Sequence, residues 1–188
     1  MASGYVDVPH STYEEWKLNT LGNEYDLDGY YGCQCWDYAS LFWRNLGFPT
    51  GYPQTGANGY AYECWTVSKT VNAGNVFELI YDKTQIKKGD VVVLDAGRFV
   101  GDVAGHIGFA NEDYNGTNTL SMMGQNQENA SATVGYKVTI DNMNITKFLG
   151  AFRYPAWQPT PPPTPTEKHK FPWFVLTKRL NDRRNGVL

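Results

Sequence analysis

"DLDGYYGCQCWDYASLFW" runs from Asp26 to Trp43 and holds three aspartates, two glycines and two cysteines ahead of an apolar run. Cys35, Tyr38, Ala39, Phe42 and Leu46 recur at steps of three and four, so they share one face of a helix predicted over 35–46. Gly47 is placed to close it. A thiol at a helix start meets unpaired backbone N–H groups and the positive end of the helix dipole, which favour the thiolate. Cys35 is therefore a candidate nucleophile, with a buried small residue as the alternative. The acids read differently. Asp26, Asp28 and Asp37 surround the tight turn "GYYG" and offer hard oxygen ligands suited to calcium. The opening D-x-D-G is that of an EF-hand loop, but the twelfth position is Asp37 rather than Glu and the second half is not polar. A solvated acidic turn is the alternative.

The chain has 188 residues, the size of one ordinary domain with room for an appendage. Its formal charge of −3 does not suggest nucleic acid. Residues 167–188 are basic, with six Lys/Arg against two Asp/Glu, so the body is acidic and the tail is not. No run of about 18 apolar residues exists, so no transmembrane helix is expected. The start lacks a basic and then apolar leader, so no signal peptide is expected either. Three cysteines argue against a disulfide framework. Three histidines scattered at 10, 106 and 169 do not make a zinc site with them. Aromatic residues reach 15%, and they suit either a β-rich core or a groove that grips sugars or peptides.

Along the chain, 11–22 reads as a helix with Ser11 as N-cap, Glu14 at the capping-box spacing and Gly22 at its end. A shorter helix is expected over 61–71. Strands are expected over 90–95, 105–111, 119–126, 133–140 and 149–155, with Asn115-Gly116 in a hairpin loop. Helices followed by an antiparallel meander make an α+β plan. Residues 155–168 are a Pro/Thr run expected to be extended, and 169–188 form an aromatic, basic tail.

His106, in "GHIGF" between two glycines, is the partner expected for Cys35. The next strand ends in "MGQNQ", which offers Gln125, Asn126 and Gln127 behind the imidazole. Cysteine on a helix, histidine on a strand and a polar residue on the next strand is the order of a papain-like thiol hydrolase.

"GCQCWDY", "KKGDVVVLD", "GHIGF" and "GQNQ", in this order across residues 12–155, resemble the CHAP domain, the cysteine- and histidine-dependent amidohydrolase/peptidase domain of phage endolysins and tail lysins. The resemblance implies a papain-like (NlpC/P60-type) α+β fold with N-terminal helices on an antiparallel sheet. It assigns residues 1–155 to the hydrolase domain, 156–168 to a linker and 169–188 to a tail. It also implies hydrolysis of an amide bond in bacterial peptidoglycan, with Cys35 as nucleophile, His106 as base and Asn126 orienting the imidazole. In the calcium-binding subgroup the ligands map to the side chains of Asp26, Asp28 and Asp37 and the carbonyls of Tyr30 and Gly32. The calcium would be structural, and no redox cofactor is implied.

One departure stands out: relatives carry Glu two residues before the Asn, and here that position is Gly124. Neither the bond cut, amidase or endopeptidase, nor the route to the wall is set by these motifs. The protein would wait in the host cytoplasm for a holin or ride on the virion tail. A catalytically inactive wall-binding module is the alternative reading.

Overall fold

The computed structural model describes residues 6–71, 73–99, 101–127 and 136–159. These lie, residue 159 apart, in the first of two units, Met1–Gln158. The basic tail and most of the Pro/Thr run fall outside the described residues.

Three helices come first: α1 (Tyr13–Thr20), α2 (Cys35–Asn45) and α3 (Glu63–Val71), followed by a single turn, α4 (Ala73–Val76). Six strands follow: β1 (Glu78–Ile80), β2 (Val91–Leu94), β3 (His106–Ala110), β4 (Thr119–Gly124), β5 (Thr139–Asn144) and β6 (Phe148–Arg153). They form one sheet in the order β1-β6-β2-β3-β4-β5, every pair antiparallel. The helices pack on one face of it, which is the expected papain-like α+β plan.

Alternation along the strands divides the core. Val91, Val93, Ile107, Phe109 and Phe152 face the helices. Val92, Leu94, Ala110, Met122 and Ala151 form a second apolar layer on the other face. Much of the aromatic surplus fills the helix side. Phe42 of α2 meets Trp157 at 4.5 Å, Trp16 at 5.2 Å and Phe109 at 5.3 Å between ring centroids. Trp65 belongs to this core too. It lies so close over Gly150 that a methyl group placed there would be 2.2 Å from the indole, so only glycine fits on β6 beneath it.

Several expectations need correction. The cap of α1 is Thr12, whose hydroxyl accepts from Glu15 N, while Ser11 bonds the Glu15 carboxylate. The whole cap sits one residue later than the Ser11/Glu14 spacing suggests. The strand expected over 133–140 is instead β5 at Thr139–Asn144, and residues 128–135 lie outside the described set. β1, only three residues long, is too short to show a period in sequence. The Pro/Thr run does not begin as an extended linker. Pro155–Trp157 forms a 3-10 turn, and Trp157 donates its indole N–H to His10 O (2.7 Å) while packing on Phe42. A large aromatic ring gains more from that pocket than from a solvated strand.

At the far end of β6, Arg153 donates to both oxygens of Asp90 at 2.9 and 2.8 Å. Asp90 is buried, and its other contact is the Lys87 N–H at 2.8 Å. This is the structural reason for the "KKGD" turn that leads into β2.

Candidate active site and metal centre

Cys35 is the first residue of α2 and is half-buried, whereas Cys33 and Cys64 are buried; all three are free thiols. Its pKa is pushed up by burial. Against this work the N–H groups of Ile107 and Trp36, which hydrogen-bond to the sulfur, and the positive charge of Arg98. Ile107 follows His106 at the start of β3, so the sulfur rests on the peptide next to the imidazole. His106 is buried, and burial pulls its pKa down to about 3, with Arg98 acting in the same direction. The resting pair is thus a neutral thiol and a neutral imidazole.

The folded-state value of His106 lies below the ordinary 6.5, so the unfolded chain binds more protons between those two limits. The stability that His106 contributes is fully present above about pH 6.5 and is lost as pH falls toward 3. Asp37 acts with the opposite sign over part of this window, so the comparison must be between variants. Urea unfolding of wild type and His106→Gln at pH 7 and pH 4 should show the wild type losing more stability on acidification. Equal losses would mean that the ring is not buried neutral.

Arg98 and Asp102 flank this pair and were not singled out in the sequence. Both side chains are almost fully buried, and Arg98 Nε meets Asp102 Oδ2 at 2.7 Å. Arg98 Nη2 also donates to Gly105 O (3.1 Å), and Gly105 N donates to Asp102 Oδ1 (3.0 Å). The ion pair therefore ties down the loop that delivers His106. Nothing in the local pattern of "GRFVGDVAGH" marks it, because only burial distinguishes these charges from surface ones.

Asp26, Asp28 and Asp37 come together, with one carboxylate oxygen from each lying within 4.8 Å of the others. Gly29, Tyr31 and Gly32 all take positive φ values (76°, 62° and 69°), which curls the loop around them. Asp37 is buried in the first turn of α2 and accepts from Leu27 N (2.8 Å) and Gln34 N (2.9 Å). Burial, and then the charges of Asp28 and Asp26, raise its pKa to about 7. Among the described residues no Lys or Arg pairs with these three acids. A compact set of hard oxygens that lacks a balancing cation fits a metal ion.

Residues 24–126 of the sequence, more than half of the chain, match the CHAP domain. The chain belongs to the CHAP family. This CHAP domain is 33% identical over 84 residues (45% of its length) to a protein of Streptococcus phage B30 named D-alanyl-L-alanine endopeptidase. It is 31% identical over 122 residues (65% of its length) to "Probable autolysin PH" of Staphylococcus aureus strain NCTC 8325. It spans only 18% and 24% of those two proteins. Among solved structures, the wild-type endolysin LysIME-EF1 superposes with a TM-score of 0.58 at 28% identity, over 76% of this chain and 62% of that one.

Within the CHAP frame, the resemblance gives Asn126 the orienting role, and its side-chain oxygen is buried without a hydrogen-bond partner. β3 and β4 pair as Phe109↔Met123 and Ala110↔Met122, a register that would carry Asn126 opposite His106 if it ran on. It does not run on. β4 stops at Gly124 and Asn126 turns left-handed at φ 52°. Its amide then donates to Gln34 Oε1 at 2.6 Å. Gln125 bonds Tyr25 N, Tyr25 O and Gln34 O, so both residues brace the loop before Cys35. The next side chain, Gln127, places its Oε1 beside Gly124, where His106 Nε2 also lies.

Proposed function

We propose that this CHAP domain hydrolyses an amide bond in the peptide part of bacterial peptidoglycan, with Cys35 as nucleophile and His106 as proton carrier. The observation that carries the reading is the placement of Cys35. It is the most accessible of three free thiols, it opens a helix, and its sulfur is hydrogen-bonded by the peptide next to a buried histidine. The endopeptidase and autolysin names of the relatives support a wall substrate.

As the sulfur attacks the carbonyl carbon, its proton passes to His106. The oxyanion is held by backbone N–H at the start of α2, including that of Cys35. Gln34, next to it, donates its side-chain amide to Tyr31 O and accepts from Asn126 at Oε1. The C–N bond breaks, His106 protonates the leaving amine, and a thioester remains. Water then gives its proton to His106 and cleaves the S–C bond, and the proton returns to sulfur.

Calcium is the cation assigned to Asp26, Asp28 and Asp37, with the carbonyls of Tyr30 and Gly32 completing the set. Bound there, its two positive charges would offset most of the carboxylate charge and it would stiffen the loop leading into Cys35. Among the described residues no helix is long and apolar enough to cross a membrane. We assign access to the wall to a holin or to carriage on the virion tail.

Mass spectrometry of fragments released from purified Gram-positive walls tests the reading, with EDTA and calcium add-back as separate arms. New amine ends in the released peptides, lost in EDTA and restored by calcium, are expected. The fragment masses then separate amidase from endopeptidase. Calcium at about 100 times its Kd should add about 2.7 kcal/mol of stability, and Asp28→Ala should remove that gain. Intact walls under every condition would favour a binding module.

A further inference from the structure

We propose that Gln127, backed by Asp141, is the positioning residue for His106 and occupies the place left by the carboxylate absent at Gly124. The proposal rests on the hydrolase reading above and names the third member of its site.

Gln127 is buried, and its amide nitrogen is surrounded by acceptors. It donates to Met122 O and Thr139 O at 3.0 Å and to Asp141 Oδ2 at 3.2 Å. Three acceptors on one side settle which way the amide faces, because a carbonyl turned toward them would set lone pair against lone pair. The oxygen, Oε1, must therefore point the other way. There it is buried with no hydrogen-bond partner among the described residues. His106 Nε2 is likewise buried and has no hydrogen-bond partner among them. One orphan is an acceptor and the other can be a donor, and the pair is complementary.

Gly124 is what lets them meet. A methyl group placed on it would be 3.1 Å from Gln127 Oε1 and 3.4 Å from His106 Nε2. Any side chain at 124 would crowd this space, so glycine there and glutamine at 127 are two halves of one exchange. The left-handed turn at Asn126 makes the exchange possible, since it ends the ladder and brings Gln127 back beneath β4 toward Met122 O.

The chemical consequence concerns the tautomer. A hydrogen bond from Nε2–H to Gln127 Oε1 leaves Nδ1 bare, free to take the proton of Cys35. An amide cannot take that proton itself, so it remains an acceptor whether the ring is neutral or charged. Asp141 pulls on the amide from behind and supplies the negative charge one group further from the ring.

Long-range nitrogen–proton NMR of the wild-type chain at pH 7 should show His106 protonated at Nε2 and bare at Nδ1; the opposite tautomer overturns the proposal. Gln127→Met should mix the tautomers and lower kcat on purified wall fragments roughly 10- to 100-fold with little change in KM. Gln127→Glu should restore most of the rate and shift its pH profile. If Gln127→Met leaves tautomer and kcat unchanged while Asn126→Ala alters both, Asn126 is the orienting residue and the proposal fails. Should Gln127→Met not fold, the wild-type tautomer and the Gln127→Glu rate decide. If the wild type cuts no wall at all, the hydrolase reading fails, and the tautomer measurements still decide the role of Gln127.

Discussion

Cys35→Ala should abolish release of peptide from purified walls, with a fall on the order of 10⁴-fold or more in kcat. The reason is that, in the proposed mechanism, Cys35 is the thiol open to substrate. Cys33 and Cys64 are both buried, and the nearest acids are committed to the loop ahead of α2. The fold should survive, because Cys35 is only half-buried and loses a single atom. The cost should be about 1 kcal/mol, visible as a small shift in thermal midpoint. A folded variant that binds walls but cuts nothing is the expected result. A folded variant that lyses walls as fast as wild type would remove Cys35 from the chemistry. The same logic applies to iodoacetamide, which should modify Cys35 first and stop activity in step with modification.

Gly105→Ala should be the most damaging small substitution near the site. Gly105 has φ +68°, and a methyl group there would lie 2.3 Å from the Leu94 carbonyl oxygen and 3.1 Å from Tyr62 Cβ. The left-handed backbone alone costs a non-glycine residue about 1–2 kcal/mol, and relieving the overlap costs about 1–3 kcal/mol more. For a domain of this size that is a drop of roughly 5–15 °C in thermal midpoint. Activity should fall further than stability explains. Leu94 pairs with His106 across the sheet, and Gly105 is held on both sides by Arg98 and Asp102, so any relief moves the imidazole. Gly116→Ala is the control. It has φ +85° but no atom within 4 Å of the added methyl, so only the backbone cost applies. Equal losses in the two variants would mean that the loop yields without disturbing His106.

What could be read in the chain was local. Cys35 at the head of α2, Gly47 beyond its end and the hairpin loop around Asn115-Gly116 all follow from short spacings and turn chemistry. The acidic cluster was legible for the same reason. Asp26, Asp28 and Asp37 lie within twelve residues, so one tight turn suffices to bring them together. The short apolar runs of β2 and β3, bounded by turn residues, then placed His106 at the start of a strand.

The rest was decided where distant segments meet. Whether Asn126 or Gln127 faces the imidazole depends on one left-handed residue that ends β4, and asparagine visits that conformation without announcing it in any pattern. The buried Arg98–Asp102 pair looks in sequence like any two surface charges four residues apart; only the fold around it removes the water. Trp157, in a proline-rich run, becomes core because Phe42 and Trp16 leave it a pocket. Composition and short-range spacing thus determined the helices, most of the strands and the acid cluster. Tertiary packing decided which buried polar groups are left to find one another, because desolvation acts only once the chain has closed around them.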